Sequence, residues 1–363
     1  MKGNKRRVLA FIMAAVMLVM VFAGCSKGGN KKETTEEVFA SWHQDAASLQ
    51  TLIDYVEDVT DEKSENFIPV ENRIATFDMD GTICGELFPT YLEYYMLAWR
   101  VLKDPNCKPD EETIRVAEMI RDEGISHNFP DDMAILHAQA AAKAYSGMTL
   151  EEFSDFTTEI LLRDVDGFEG MTYAEAFYLP MVEVIEYLQE NGFSVYVVSG
   201  SDRFICRNLF EGVIDIPSEN FIGMDVFLEA EGQNGENGLD YEIKPGEKVV
   251  RTDKLIIKNL QMNKVSQIMQ EIGKKPVLAF GNSSGDTSML LYATTDNPYK
   301  SAAFMLIADD EERDYGNTEK GLELKEKWEG YGFNVISMKN DFATIYGENV
   351  KKTGTFRWME ELK

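Results

Sequence analysis

Five short apolar runs, near residues 74–79, 194–199, 276–281, 302–308 and 333–338, recur along the chain as candidate buried strands. Between them the hydrophobic positions follow helical spacing. Tyr91, Leu92, Tyr95, Met96, Trp99 and Leu102 form one such face, most of it core. Thr149-Leu-Glu-Glu152 is a capping box that opens a further helix. Strands alternating with helices predict a parallel α/β sheet. Its site would lie at the carboxyl ends of the strands, near the point where strand order reverses. Residues 37–60, including Trp42, predict an extra helix packed on this core. Residues 222–250, rich in Gly, Asn and Glu, predict loops or a hairpin, and no internal repeat is visible.

The first strand carries the most chemistry. In Ile74-Ala-Thr-Phe-Asp-Met-Asp-Gly-Thr-Ile83, two aspartates stand two residues apart at its end. Alternate strand residues share a side, so Asp78 and Asp80 can face one site, and Gly81 permits the sharp turn that follows. Adjacent carboxylates repel unless a cation or a shared proton relieves them. A hard cation such as Mg²⁺, which takes oxygen ligands, suits that need. Downstream, Phe193-Ser-Val-Tyr-Val-Val-Ser-Gly200 is a strand ending in a hydroxyl and a glycine. Lys275-Pro-Val-Leu-Ala-Phe-Gly-Asn282 is another, running into Ser283-Ser-Gly-Asp286.

The apolar strand followed by Asp-x-Asp-Gly-Thr resembles motif I of the haloacid dehalogenase superfamily, whose members mostly hydrolyse phosphate esters. The resemblance runs from about Arg73 to Leu290, with four motifs in order. It implies a Rossmann-like, doubly wound parallel sheet with an inserted α-helical cap. Ser199, followed by Gly200, takes the phosphate-binding place of motif II. Asn282 and Asp286 take the acidic places of motif IV, with Asn282 where aspartate is expected. Lys254, Lys258 and Lys264 compete for the motif III lysine. Lys264 is favoured because it opens an amphipathic helix, Lys264–Gly273, as the family's lysine does. The helical stretch 86–180 resembles the cap of the phosphoserine phosphatase-like branch, with 37–85 and 181–363 as the discontinuous core. Such caps close over small substrates. Glu86 sits where that branch has a substrate-facing glutamate. Arg207 is either an anion-binding group or a helix-surface arginine.

Phosphoryl transfer needs an in-line nucleophile, neutralised equatorial oxygens and a proton for the leaving group. Asp78 is the candidate nucleophile, forming an aspartyl-phosphate, and Asp80 the acid that serves the alcohol and then the water. Ser199 and the amides after Asp78 would bind phosphoryl oxygens, and Lys264 would offset transition-state charge. Mg²⁺ would sit among Asp78, the Asp80 carbonyl and Asn282, with Asp286 holding a metal-bound water. Dehalogenases of the superfamily lack the second acid, so Asp80 points to a phosphatase. The substrate expected is a small phosphorylated metabolite, phosphoserine being the first guess by resemblance alone. Two rivals stay open: transfer to an alcohol other than water, and a surface lipoprotein that binds a ligand without turnover.

At the N-terminus Lys2, Lys5, Arg6 and Arg7 precede an apolar run, Val8–Ala23, then Gly24-Cys25. This is the pattern of a signal peptide, residues 1–24. Ala23-Gly24-Cys25 resembles a bacterial lipobox, with Phe22 where leucine is usual. Cys25 would then be acylated and anchor the chain outside the cytoplasmic membrane, residues 25–36 forming a tether. An ordinary cleaved signal is the alternative. Loss of residues 1–24 removes four basic side chains and no acidic one, taking the net charge from −27 to −31. That excludes nucleic acid as a partner and leaves local cations to bind any phosphate. No protein partner is legible. Cys84, Cys107 and Cys206 are an odd set that implies no disulfide framework, and the three histidines show no metal-ligand spacing.

Overall fold

The computed structural model describes residues 34–86 and 89–363. The signal segment, Cys25 and most of the tether lie outside the described residues. Among the described residues nine strands are present: β1 (Ile74–Phe77), β2 (Phe168–Glu169), β3 (Ser194–Asp202), β4 (Phe221–Ala230), β5 (Val249–Ile257), β6 (Leu278–Gly281), β7 (Ala302–Ile307), β8 (Asn334–Ser337) and β9 (Lys351–Lys352). Seven form one sheet in the order β5-β4-β3-β1-β6-β7-β8, parallel throughout except for β5 on β4. The chain leaves β1 toward β3 on one side and returns to β6 on the other, so the order reverses beside β1. The fold is α/β, a Rossmann-like doubly wound sheet, as expected.

Burial on both faces explains why these strands read as unbroken apolar runs. Phe77 and Phe280, in register across β1 and β6, stack at 4.2 Å, and Phe304 on β7 continues the row at 5.1 Å from Phe280. On the opposite face Val198, Ala279 and Met305 pack against Ile268, Met289 and Trp328 from the flanking helices. The two-residue period thus feeds two separate cores, one on each side.

The expected helix over 37–60 begins only at Ala47 and runs to Thr60. Trp42 instead forms a bridge with Phe342, its ring edge-on at 4.9 Å, while Nε1 donates to the Pro180 carbonyl at 2.9 Å. These distant contacts, with the Ser41 amide donating to the Glu183 carboxylate, override local helix preference. Residues 222–250 resolve as a hairpin: β4 and β5 pair antiparallel and 231–248 connect them.

Four main helices follow β1 in the insertion: Leu92–Leu102, Glu111–Glu123, Met133–Ala144 and Leu150–Leu161. The capping box forms, with Thr149 Oγ1 accepting from the Glu152 amide at 3.1 Å and Glu152 Oε2 from the Thr149 amide at 2.9 Å. The insertion is tied to the core rather than loosely hinged. The Gly147 amide donates to the Arg251 carbonyl on the edge strand β5, and the Arg251 amide donates to the Met148 carbonyl. The Arg251 guanidinium lies 4.0 Å from the Phe153 ring while pairing with Asp202 at 2.5 Å. The C-terminal helix, Trp358–Glu361, also packs on the insertion. Asp166 accepts the amides of Arg357 and Trp358, and Trp358 Nε1 donates to the Arg121 carbonyl. Among the described residues, no helix is long and apolar enough to cross a membrane.

Candidate active site

The carboxyl ends of β1, β3 and β6 meet at one cavity of about 100 Å³. Asp78 and Asp80 leave β1 on a tight turn in which the amides of Thr82, Ile83 and Cys84 all point at the Met79 carbonyl. Gly81 at φ +78° makes that turn possible, and a Cβ there would lie 2.0 Å from Asn282 Nδ2. Glycine is therefore required twice over, by conformation and by space. After β6, Asp286 Oδ2 accepts the amides of Asn282 (3.1 Å) and Ser283 (3.0 Å), folding that loop onto itself. Its Oδ1 is left for Lys264.

Lys264 is fully buried and donates to Asp78 Oδ1 at 2.5 Å and to Asp286 Oδ1 at 2.7 Å. It joins the loop after β1 to the loop after β6, so of the three candidate lysines it is the one beside Asp78. Burial disfavours its ammonium, but the Asp286 and Asp78 charges outweigh that and hold its pKa above the usual lysine range. Asp78 is pushed upward by burial and by Asp286, with Lys264 opposing. Burial raises Asp80 to about 6, although the Ser201 hydroxyl bond pulls the other way.

Glu86, Gly200, Asn282 and Asp286 line the cavity with Asp78 and Asp80, as the sequence predicts. Ser199 does not line it. The hydroxyl is fully buried, 3.5 Å from Asp80 Oδ2, and accepts the Ser201 amide at 3.0 Å. Ser201, two residues on and so on the same side of β3, faces the cavity and donates to Asp80 Oδ2 at 2.7 Å. Arg207 is also elsewhere: its Nε donates to the Ser218 carbonyl at 2.8 Å, which corrects the anion-binding expectation in favour of the helix-surface alternative. Arg207 lies one helical turn after Arg203, on the same helix face, and Arg203 pairs with Asp225 and Glu271 outside the cavity lining. Cys84 is a core residue, with Sγ on the Met79 carbonyl.

The sequence did not assemble the far wall, although it offered Tyr91 on a helical face and Lys258 among the candidate lysines. It comes from Tyr91, Glu93, Tyr94 and Ala134 of the insertion, and from Lys258 and Leu260 after β5. Lys258 Nζ pairs with Glu93 Oε1 at 2.5 Å, and the remaining Glu93 oxygen is buried without a hydrogen-bond partner. His137 Nε2 lies 3.2 Å from the Glu93 backbone carbonyl. Because a carbonyl only accepts, that nitrogen carries the proton, and burial holds the ring neutral by pushing its pKa well down.

The donor set suits a hard cation. Five carboxylates (Asp78, Asp80, Glu86, Glu93 and Asp286) line one small cavity, and burial together with mutual repulsion pushes Glu86 well above its ordinary range. Asn282 spends its Nδ2 on Glu86 Oε1 at 3.0 Å, which leaves its amide oxygen available as a neutral ligand. Among the described residues, no three His, Cys, Asp or Glu side chains are arranged to hold a metal by themselves. Mg²⁺ does not need that, since it keeps several waters and binds through one or two carboxylates.

No family model matches the chain, and no curated protein matches it. Among solved structures, a conserved functionally unknown protein from Anaerococcus prevotii covers 83% of this chain with 97% of its own, at 15% identity and a TM-score of 0.49. A cytosolic 5′-nucleotidase IIIB bound to cytidine covers 82% of this chain with 87% of its own, at 12% identity and a TM-score of 0.47. A phosphoserine phosphohydrolase-like protein from Francisella tularensis covers 73% of this chain with 94% of its own, at 14% identity and a TM-score of 0.40. Likeness at this level carries no functional argument, so the reading of the site rests on its own side chains.

Proposed function

We propose that the protein is a Mg²⁺-dependent phosphomonoesterase that acts through an aspartyl-phosphate on a small phosphorylated metabolite. The observation that carries this reading is the Asp78–Lys264–Asp286 chain of contacts beside Asp80, at the carboxyl ends of β1 and β6. Asp78 attacks phosphorus, the P–O bond to the alcohol breaks, and Asp80 donates its proton to the departing oxygen. Asp80 then takes a proton from water, which attacks the aspartyl-phosphate and frees Asp78 and phosphate. Lys264 keeps Asp78 oriented and offsets the growing negative charge. Ser201 holds the Asp80 carboxyl in place. Bound Mg²⁺, held by Asp78, the Asp80 carbonyl and Asn282 with Asp286 behind, would screen the phosphoryl oxygens from the surrounding carboxylates. The small cavity closed by the insertion favours a small ester, because a macromolecule could not enter beneath it.

The test is phosphate release by the purified full chain from a panel of small phosphomonoesters, phosphoserine included. Each is assayed with Mg²⁺ and with chelator, for wild type and Asp78→Asn. Metal-dependent release that falls at least about a thousandfold in the variant is expected. Release that survives in Asp78→Asn overturns the nucleophile assignment. Export and lipid anchoring through Cys25 belong to the same reading, supported by the basic n-region, the apolar run and the Ala23-Gly24-Cys25 site. Metabolic labelling with a radioactive fatty acid, lost in Cys25→Ser, is the expected outcome.

A further inference from the structure

The phosphoryl reading leaves a charge problem at the cavity wall. Five carboxylates line it, and Lys258 is the single basic residue among the lining. Lys264 does not reach the opening, because it is fully buried and committed to Asp78 and Asp286. The whole chain carries −27, so no long-range field draws an anion in. Lys258 gives one bond to Glu93 Oε1, and its ammonium makes no other hydrogen bond among the described residues. An ammonium has three donors, so two remain. Glu93 is the second residue of the helix Leu92–Leu102, whereas Lys258 directly follows β5, so the pair spans from insertion to core.

We propose that Lys258 is a second anion-binding residue of this site, taking a phosphoryl oxygen of the ligand, and that Glu93 is the residue that positions it. Resting on the phosphoryl reading above, this assigns to the insertion a binding task as well as a covering one. Glu93 is buried and Lys258 nearly so, the Lys258 side chain being 10% exposed and that of Glu93 6%. The lysine therefore meets the ligand already oriented, with little side-chain freedom left to lose.

The experiment is titration calorimetry of inorganic phosphate into the full chain, with Mg²⁺ present, paired with steady-state kinetics. Lys258→Met should weaken phosphate binding about tenfold or more, the value of one charge-assisted hydrogen bond, and raise KM more than it lowers kcat. Lys258→Arg should stay within about threefold of wild type. Lys258→Met leaves the buried Glu93 charge unpaired and can fail to fold. The double variant Glu93→Gln, Lys258→Met removes both charges. It should bind phosphate no more weakly than Lys258→Met alone, since Glu93 acts through the lysine. Either methionine variant binding within about twofold of wild type overturns the proposal alone. A wild type that binds phosphate through Lys258 yet hydrolyses no ester keeps it and sinks the catalytic reading. A wild type that binds no phosphate overturns it.

Discussion

The two ends of the cavity are built on different plans. The inner end, at the tips of β1, β3 and β6, takes its carboxylates, amide and hydroxyl from short segments within a few positions of a strand end, with Lys264 joining them from the helix Met262–Glu271. Asp78 and Asp80 follow β1 directly, and Asn282 and Asp286 follow β6. The outer end is assembled from residues 91–94, 134 and 258–260, none of which shares a local pattern with the others. Glu93 and Lys258 are 165 positions apart, yet they meet at 2.5 Å. A strand end fixes direction by itself, whereas a wall made by an insertion depends on how the whole insertion docks.

The sharpest way to break the outer plan without touching the inner one is Trp358→Ala. Trp358 is 1% exposed, packs with Tyr95 at 5.3 Å between ring centres, and ties the C-terminal helix to the insertion through the Arg121 carbonyl. Its loss should cost about 3–5 kcal/mol of stability. Urea melts give that figure, and kcat of the folded fraction should stay near wild type. A variant that keeps its stability would show that the C-terminal helix does not hold the insertion.

The inner end breaks at Lys264. Lys264→Met keeps the stem but removes the ammonium shared by Asp78 and Asp286, so kcat should fall by about 10²–10³. The loss should appear in kcat more than in KM, the reverse of the pattern expected at Lys258. Equal splits at the two lysines would erase the division between the two ends.

This division also explains what the sequence made readable. Asp78, Asp80, Gly81, Asn282 and Asp286 were legible because each sits in a contiguous string whose strand and turn fix it. Lys264 was legible as part of an amphipathic helix, which runs Met262–Glu271 and so opens two residues before the lysine rather than at it, though its two carboxylate partners were not. Ser201 escaped because Ser199 filled the expected place. The signal that pointed to Ser201 was the two-residue strand period, by which residue 201 shares the side of 199 one step nearer the opening. Lys258 was one of three candidates for a single role, and no local feature separated a surface lysine from a wall lysine. Arg207 failed for the converse reason, since nearness in sequence to the site says nothing about helical phase. Trp42 went wrong because distant partners, Pro180 and Phe342, decide its backbone.

A third position separates stability from site chemistry. Glu183, on the helix Leu179–Glu190, accepts the Ser41 amide away from the cavity, and burial raises it to about 7. An acid whose folded pKa is raised stabilises the fold at low pH, and that contribution fades as pH rises from about 4.5 through 7. Wild type should therefore lose about 2 kcal/mol more between pH 5 and 7.5 than Glu183→Gln does. Denaturant melts at the two pH values measure it. Parallel pH curves for the two proteins would place the titration elsewhere.

The smallest effect concerns the one departure inside the inner end. Asn282 offers an amide oxygen where a carboxylate would add a charge, and its Nδ2 is already bound to Glu86 Oε1. Asn282→Asp should therefore do two opposed things. It adds a negative ligand, tightening Mg²⁺, and it turns a hydrogen bond to Glu86 into a repulsion between two carboxylates. With Mg²⁺ bound, the metal offsets that repulsion, so the apparent metal affinity in the phosphate-release assay should rise severalfold, about 1 kcal/mol. Without metal the same variant should be less stable than wild type. The two signs are linked, because the cost in the metal-free protein is what the cation removes. A variant equally stable with and without Mg²⁺, and unchanged in metal dependence, would move the ion away from Asn282 and leave Asp78 as its side-chain ligand, with Asp286 behind.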